Sequence, residues 1–344
     1  MNYNMKKYLF LGALMLLLIF PACKRKKSNK VVVDVNKSEV KQIQKTIDIK
    51  IKRYEQALNS LSKNNLGEGL KSLQSEYYFF IGDNPADSNN VKQIKNYLND
   101  KIIKQLYSEV QKQYPDLAEM EKEFGNAFSL LKYHFPDAVI PKIYTAITGL
   151  YYEMPIMFYD STLVIALDMY LGKNYKLYKG GDVPKFVVRR FSREYILADC
   201  FKEIAYNCMK YNNSQGTLLD EMVLEGKRLL LTELVLPQAP DSVIFPYPQE
   251  KIQWAIENEA NIWGYFIEKK YLYSRDYSVI RKLIKESPFT SFFGDQSPGR
   301  VGVWVGWQIC RSWVQKNPDK PISELMNELD AQKILTESKY KPKK

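Results

Sequence analysis

Thr162-Leu163-Val164-Ile165-Ala166-Leu167 is a continuous apolar run, the pattern of a strand covered on both faces. Two shorter β-rich runs precede it. One is Ile143-Tyr144-Thr145 with Ile147 and Thr148, ended by Gly149; the other is Ile156 to Tyr159. A glycine- and lysine-rich loop follows, Tyr170 to Asp182. Helical patterning then runs from about Arg193 to Tyr211 and, after a polar loop at 212–216, from Thr217 to about Leu234. The order is strand, helix, loop, helix. Helical periodicity dominates on both sides of this block, so the spacing predicts an α+β fold, mainly helical, with a small sheet and N-terminal helices.

Upstream, Val40, Ile43, Ile47, Ile51 and Tyr54 recur at helical spacing, extended by Leu58, Leu61 and Leu66. After a loop at 83–90, Val91 to Tyr107 and Leu117 to Tyr133 read as two helices, the second stopping before Pro136. Downstream, Leu236 to Pro248 is a connector with four prolines. Helices are expected at Glu250 to Tyr271, Ser278 to Lys285, Val301 to Val314 and Ile322 to Leu335. Four segments result: a leader at 1–22, a basic tether at 23–40, a helical region at 41–137 and an α+β region at 138–344.

The leader carries its own chemistry. Lys6 and Lys7 precede the apolar run Tyr8 to Phe20, 13 residues long. That is short for a membrane span of about 20 residues and suited to a signal peptide. Phe20-Pro21-Ala22-Cys23 then resembles a bacterial lipobox, with Phe20 where leucine is usual. Cleavage before Cys23 leaves that cysteine to carry acyl chains of the palmitate class, and two or more chains anchor a protein stably. Lys24-Arg25-Lys26-Lys27 adds attraction to anionic headgroups of about 1 kcal/mol per charge.

Composition narrows the chemistry further. The chain has 344 residues, a formal charge of +11 and a single histidine, His134. One histidine excludes any site that needs two. No GxxxxGK[ST], GxGxxG or GxSxG sequence occurs. The basic residues lack the aromatic interleaving of a nucleic-acid module, so no nucleic-acid partner is expected. Cys200, Cys208 and Cys310 form no CxxC pair. On one helix Cys200 and Cys208 would lie about 12 Å apart, too far for a bridge, so free thiols are expected. Gly302 and Gly306 read as a close helix contact in the core.

One constellation resembles a catalytic site. Lys202-Glu203-Ile204-Ala205-Tyr206 stands on the first helix and Glu225-Gly226 on the second. A gluzincin places HExxH on one helix, where two histidines bind zinc and the glutamate activates water, with a third, glutamate ligand on the next helix. Here Glu203 and Glu225 fill the two carboxylate positions. Lys202 and Tyr206 stand in the histidine positions. At an effective dielectric near 20, like unit charges about 4 Å apart repel by roughly 4 kcal/mol, doubled for a divalent ion. A degenerate zincin-like core without metal or other cofactor is therefore expected. Lys202 either pairs with Glu225 or points to solvent.

A wider resemblance rests on Thr217-Leu218-Leu219-Asp220-Glu221-Met222 before Glu225-Gly226-Lys227, on Trp254, Asn258-Glu259, Ile262-Trp263 and Phe266, and on Ser297-Pro298-Gly299-Arg300-Val301-Gly302 with Trp304 and Gly306-Trp307. Together these resemble the gliding-motility lipoprotein family GldB over nearly the whole chain. The resemblance implies a lipoprotein held at the membrane through Cys23, with other gliding or secretion envelope proteins as partners. It implies the outer membrane, and the lack of an acidic export tag after Cys23 favours the periplasmic face. No family catalytic residue carries over. A non-catalytic envelope component, a divergent hydrolase and a ligand-binding lipoprotein using the old cleft are the three readings. The lipobox makes a direct prediction: Cys23→Ala abolishes incorporation of labelled fatty acid and slows precursor maturation.

Overall fold

The computed structural model describes residues 30–31, 33–180, 183–212 and 216–342. The leader, Cys23 and the tether as far as residue 29 lie outside the described residues. The chain is mainly helical with one four-stranded mixed sheet: β1 (Ile51–Arg53), β2 (Lys142–Ala146), β3 (Ile156–Tyr159) and β4 (Thr162–Ala166). The strand order is β1-β2-β4-β3. β1, β2 and β4 run parallel, and β3 is antiparallel to β4 at one edge. Asp160 and Ser161 both have positive φ, 44° and 57°. That is the requirement of the two-residue type I′ turn that joins twisted antiparallel strands.

β4 is buried along its whole length, as its apolarity predicts. Leu163 and Ile165 face a large core that runs from Val31 to Ile334 in sequence. Val164 and Tyr144 face a smaller one built on Leu58, Leu66, Leu70 and Tyr77. The sheet is thus a layer between two sets of helices.

β1 corrects the sequence reading, which ran a single helix from Val40 to Tyr54. The helix is Lys37–Lys45, capped by the Asn36 side chain, and β1 begins at Ile51. Ile47, Ile49 and Ile51 alternate with Asp48, Lys50 and Lys52, a period of two that the coincident spacing of four hid. β1 then pairs with β2, nearly a hundred residues on. The expected helix at 91–107 is also two, Ser88–Asn99 and Lys101–Gln113. Asp100 caps the second by accepting from the Ile102 and Ile103 amides. The helix expected to Tyr211 ends its α-helical turns at Ile204 and tightens to a 3₁₀ turn over Ala205–Cys208. The last expected helix divides into Ile322–Asn327 and Ala331–Ser338. Cys200, Cys208 and Cys310 are free.

Two helices form the centre. The central helix, Leu218–Val235, starts with a capping box between Thr217 and Asp220. The tryptophan helix, Val301–Lys316, buries Trp304, Trp307 and Trp313. They touch at glycine. A Cβ on Gly306 would lie 1.8 Å from the Met222 carbonyl oxygen, and one on Gly226 would lie 2.4 Å from the Gly306 carbonyl. The Gly302-x-x-x-Gly306 pair is therefore a core contact. No helix among the described residues is long and apolar enough to cross a membrane.

At the far end of this pair Arg311 is buried with Glu233 and Asp241, at 2.8 Å from each. Glu233 also accepts from the Trp307 indole and from the Val31 amide. Lys30 donates to the Pro237 and Ala239 carbonyls. The chain therefore joins the folded body beside the last turn of the central helix.

The glycine contact makes a stability prediction. Gly306→Ala forces two backbones apart and destabilises the fold by about 3 kcal/mol or more. Gly125 lies mid-helix with open space around it, so Gly125→Ala stabilises by about 1 kcal/mol. Urea unfolding of both variants checks the contrast.

Candidate functional site

The Ile196–Ile204 helix and the central helix cross at a cleft of about 460 Å³. All four residues singled out from sequence line it: Lys202, Glu203, Tyr206 and Glu225. Arg228 and Arg300 join them. Each carboxylate is held by a guanidinium. Arg228 Nη1 is 2.9 Å from Glu225 Oε1, and its Nη2 is 2.9 Å from Glu203 Oε1. Arg300 Nη2 reaches Glu225 Oε2 at 2.7 Å. Arg228 also donates through Nε to the Lys202 carbonyl and stacks over the Tyr206 ring, 4.3 Å from its centroid. Glu286 then bridges Arg300 and Arg190. Charges alternate along the wall: Glu203, Arg228, Glu225, Arg300, Glu286, Arg190.

Lys202 corrects one expectation. It neither pairs with Glu225 nor points to solvent. Its side chain is 12% exposed and its ammonium lies 2.9 Å from Asp199, one turn back on the same helix. Asp199 accepts in addition from the Tyr170 hydroxyl at 3.0 Å. Glu225 is unavailable to Lys202 because two arginines already occupy both of its oxygens. Tyr206 meets Glu225 only loosely, at 3.5 Å.

The electrostatics follow. Burial alone would raise the Glu225 carboxyl, but the Arg228 and Arg300 charges outweigh it and hold it below the ordinary carboxylate range. At Glu203 burial outweighs the Arg228 charge and pushes the carboxyl up. Burial lowers Lys202 against the opposing pull of Asp199. Tyr206 is pushed up to about 12, by burial first and by Glu225 second. It is a neutral phenol at physiological pH.

These residues do not fit a zinc ion. Both candidate carboxylates are bound to arginine, and no histidine is within the cleft. Among the described residues no three His, Cys, Asp or Glu side chains are grouped to hold a metal. A guanidinium stands between Glu203 and Glu225, where a bridging cation would.

Local sequence explains how the wall is assembled. Arg228 is three residues after Glu225, so both project from one helix face. Arg300 is the first residue before the tryptophan helix and sits at φ 58°. Ser297-Pro298-Gly299 hold it there. Thr290 donates to the Pro298 carbonyl through its amide and its hydroxyl, at 3.0 and 2.9 Å. A Cβ on Gly299 would strike the Ser287 carbonyl at 2.2 Å. Neither arginine is singled out as a site residue by sequence. The i+3 spacing of Arg228 was the available signal; for Arg300 there was only its place in the Ser-Pro-Gly-Arg motif.

The opposite lip of the cleft is Glu153-Met154-Pro155, leading into β3. Asp168, fully buried, accepts from the Thr148 and Leu150 amides at 3.0 and 2.8 Å. It thereby fixes the turn before that lip, where Leu150 takes φ 68°.

A family described as gliding motility protein GldB matches residues 34–342. The chain belongs to the GldB gliding-motility family. That membership carries involvement in gliding motility and a lipoprotein of the cell envelope. No curated protein and no solved structure matches the chain.

His134 lies apart from the cleft, at the end of the Ala118–His134 helix, edge-on to Tyr133. Burial lowers its pKa to about 4. A base depressed in the fold stabilises the protein above its unfolded pKa of about 6.5 and loses that contribution as pH falls toward 4, a span of roughly 3 kcal/mol. As the sole imidazole it is directly observable by NMR. Its midpoint is expected near 4; a midpoint near 6.5 would place the ring in solvent.

Proposed function

We propose that this GldB-family chain is a non-catalytic structural or assembly component of the gliding-motility and linked secretion machinery. It would be anchored through Cys23 to the outer membrane and face the periplasm. The observation that carries the reading is the Arg228 guanidinium between Glu203 and Glu225. A hydrolase using Glu203 as a general base needs a free carboxylate facing a water and a charge sink opposite. Glu203 instead forms an ion pair at 2.9 Å, and Glu225 forms two. Lys202 places a further positive charge where a metal ligand would stand.

The short tether suits such a role. Lys30 follows Cys23 by seven positions, a stretch that spans at most about 25 Å when extended. Lys30 is fixed to the body at Pro237 and Ala239. An acylated Cys23 would hold the whole body close to one bilayer, with the basic run Lys24-Arg25-Lys26-Lys27 against the headgroups.

Complementation tests the reading. In a strain lacking the chain, Glu203→Gln keeps the shape and a hydrogen-bond acceptor for Arg228 but removes the base. It should restore gliding and secretion fully, and the purified protein should hold no stoichiometric zinc by elemental analysis. Loss of gliding at normal protein level, together with one equivalent of zinc in the parent chain, would revive the hydrolase.

A further inference from the structure

We propose that the Lys37–Lys45 helix is the membrane-facing surface of the folded body, with its stripe of lysines on the headgroups of an anionic phospholipid leaflet. The sequence supplies the stripe. Lys37, Lys41 and Lys45 recur at every fourth residue, so they fall within an arc of about 80° on one side of the helix. All three are exposed, and among the described residues none of them forms an ion pair. Glu39, the one acid of this helix, projects about 160° away from Lys41. Val40 and Ile43 are half-buried on the inner side. The helix lies antiparallel along the Ala118–His134 helix. At its start the Asn36 amide donates to the Tyr133 hydroxyl at 3.3 Å, and near its end the Gln44 side chain donates to Asn126. The stripe is thus held outward on a fixed support.

The tether selects the side that meets the bilayer. Lys30 is pinned to the body by the Pro237 and Ala239 carbonyls, and the Val31 amide by Glu233. Lys27 precedes that pin by three positions, at most about 11 Å of chain. With Lys24 to Lys27 against the headgroups, the pin stands little farther from the leaflet than the Debye length of about 8 Å. Lys37 follows the pin by seven positions, and the lysine helix then runs on for about 12 Å. The buried acids beside the pin, Glu233 and Asp241, are both neutralised by Arg311. From residue 30 to 47, Lys30, Lys37, Lys41 and Lys45 stand against Asp34 and Glu39. The excess is positive and continues the basic run of the tether. An anionic leaflet that already holds the acyl chains can meet both at once.

Lysines that serve only to solvate the surface give the comparison. Lys92 and Lys95, on the Ser88–Asn99 helix, are also exposed and without an ion pair among the described residues. That helix packs through Val91 and Ile94 on the smaller core, whereas Ile47, next to the lysine helix, packs on the large one. The sheet lies between the two cores. The two sets of lysines therefore belong to opposite layers of the fold, and the stripe at 37–45 is the one that continues from the tether.

This inference rests on the reading that Cys23 is acylated. The test uses the full chain as the cell processes it, on phosphatidylcholine vesicles with or without phosphatidylglycerol. Brief acetylation of amines, read by mass spectrometry, should modify Lys37, Lys41 and Lys45 at least fivefold more slowly on the anionic vesicles than on the neutral ones. Lys92 and Lys95 should react equally on both, and salt at about 0.5 M should abolish the protection. Phosphatidylglycerol with a photoactivatable headgroup should crosslink to residues 37–45. Lys37→Gln, Lys41→Gln and Lys45→Gln together keep the helix propensity and should cut those crosslinks at least fivefold. Equal acetylation on the two vesicles, protection that extends equally to Lys92 and Lys95, or crosslinks unchanged by the three substitutions overturns the proposal. The mass of the Cys23 peptide separates the two readings. An acylated Cys23 with reactive lysines keeps the anchor and overturns the face; an unmodified Cys23 with protected lysines overturns the anchor and keeps the face.

Discussion

The contact between Gly226 and Gly306 fixes the rest of the molecule. Two helices can approach until their backbones touch only where both lack a side chain, and here a methyl group on Gly306 would lie inside the Met222 carbonyl. That approach sets the depth and rotation of the central helix against the tryptophan helix. Glu225 precedes Gly226 and projects about 100° around the same helix. Arg300 leads into the helix that carries Gly306. The glycine contact thus brings Glu225 and Arg300 to 2.7 Å, and the cleft follows from it.

Charge completes what the glycines begin. A carboxylate as buried as Glu225 is stable only with a partner, and removal of one partner from such a pair costs about 3–5 kcal/mol. Two guanidiniums satisfy it, and one of them reaches on to Glu203. The same solution recurs nearer the tether, where Arg311 lies between Glu233 and Asp241 while stacking 3.6 Å over Trp307. In both places arginine supplies an internal cation with several fixed donors, which a single lysine ammonium cannot match in geometry. Lys202 accordingly settles for the nearby Asp199.

Much of this was legible in the sequence, for specific reasons. Unbroken apolarity marked β4, and the order strand, helix, loop, helix placed Lys202, Glu203, Tyr206 and Glu225 around one cleft. The Gly302 and Gly306 spacing announced a close contact. β1 was hidden because isoleucines at 43, 47 and 51 satisfy a helical spacing while those at 47, 49 and 51 satisfy a strand. Its strand state is decided by pairing with β2, a long-range contact that local periodicity does not encode. The partner of Lys202 was misjudged for a related reason. The competition for Glu225 is settled by Arg300, 75 residues away, on an element whose position depends on the glycine contact.

The central claim is that Arg228 acts as the resident cation of the cleft, and the pH dependence of stability in Arg228→Met tests it most directly. In the parent chain the depressed Glu225 carboxyl stabilises the fold above the unfolded value of about 4.3, and that contribution is lost only as pH falls through its lower folded value. With Arg228 removed, burial prevails at Glu203 and is opposed at Glu225 by Arg300 and Lys285 without the nearest guanidinium. Both carboxyls then take up protons more readily than they do in the folded parent chain. Urea unfolding should show a loss of about 3–5 kcal/mol at pH 7 that shrinks as pH is lowered toward 5, measured against the parent at each pH. A loss below about 1 kcal/mol, unchanged between pH 7 and 5, would contradict the account.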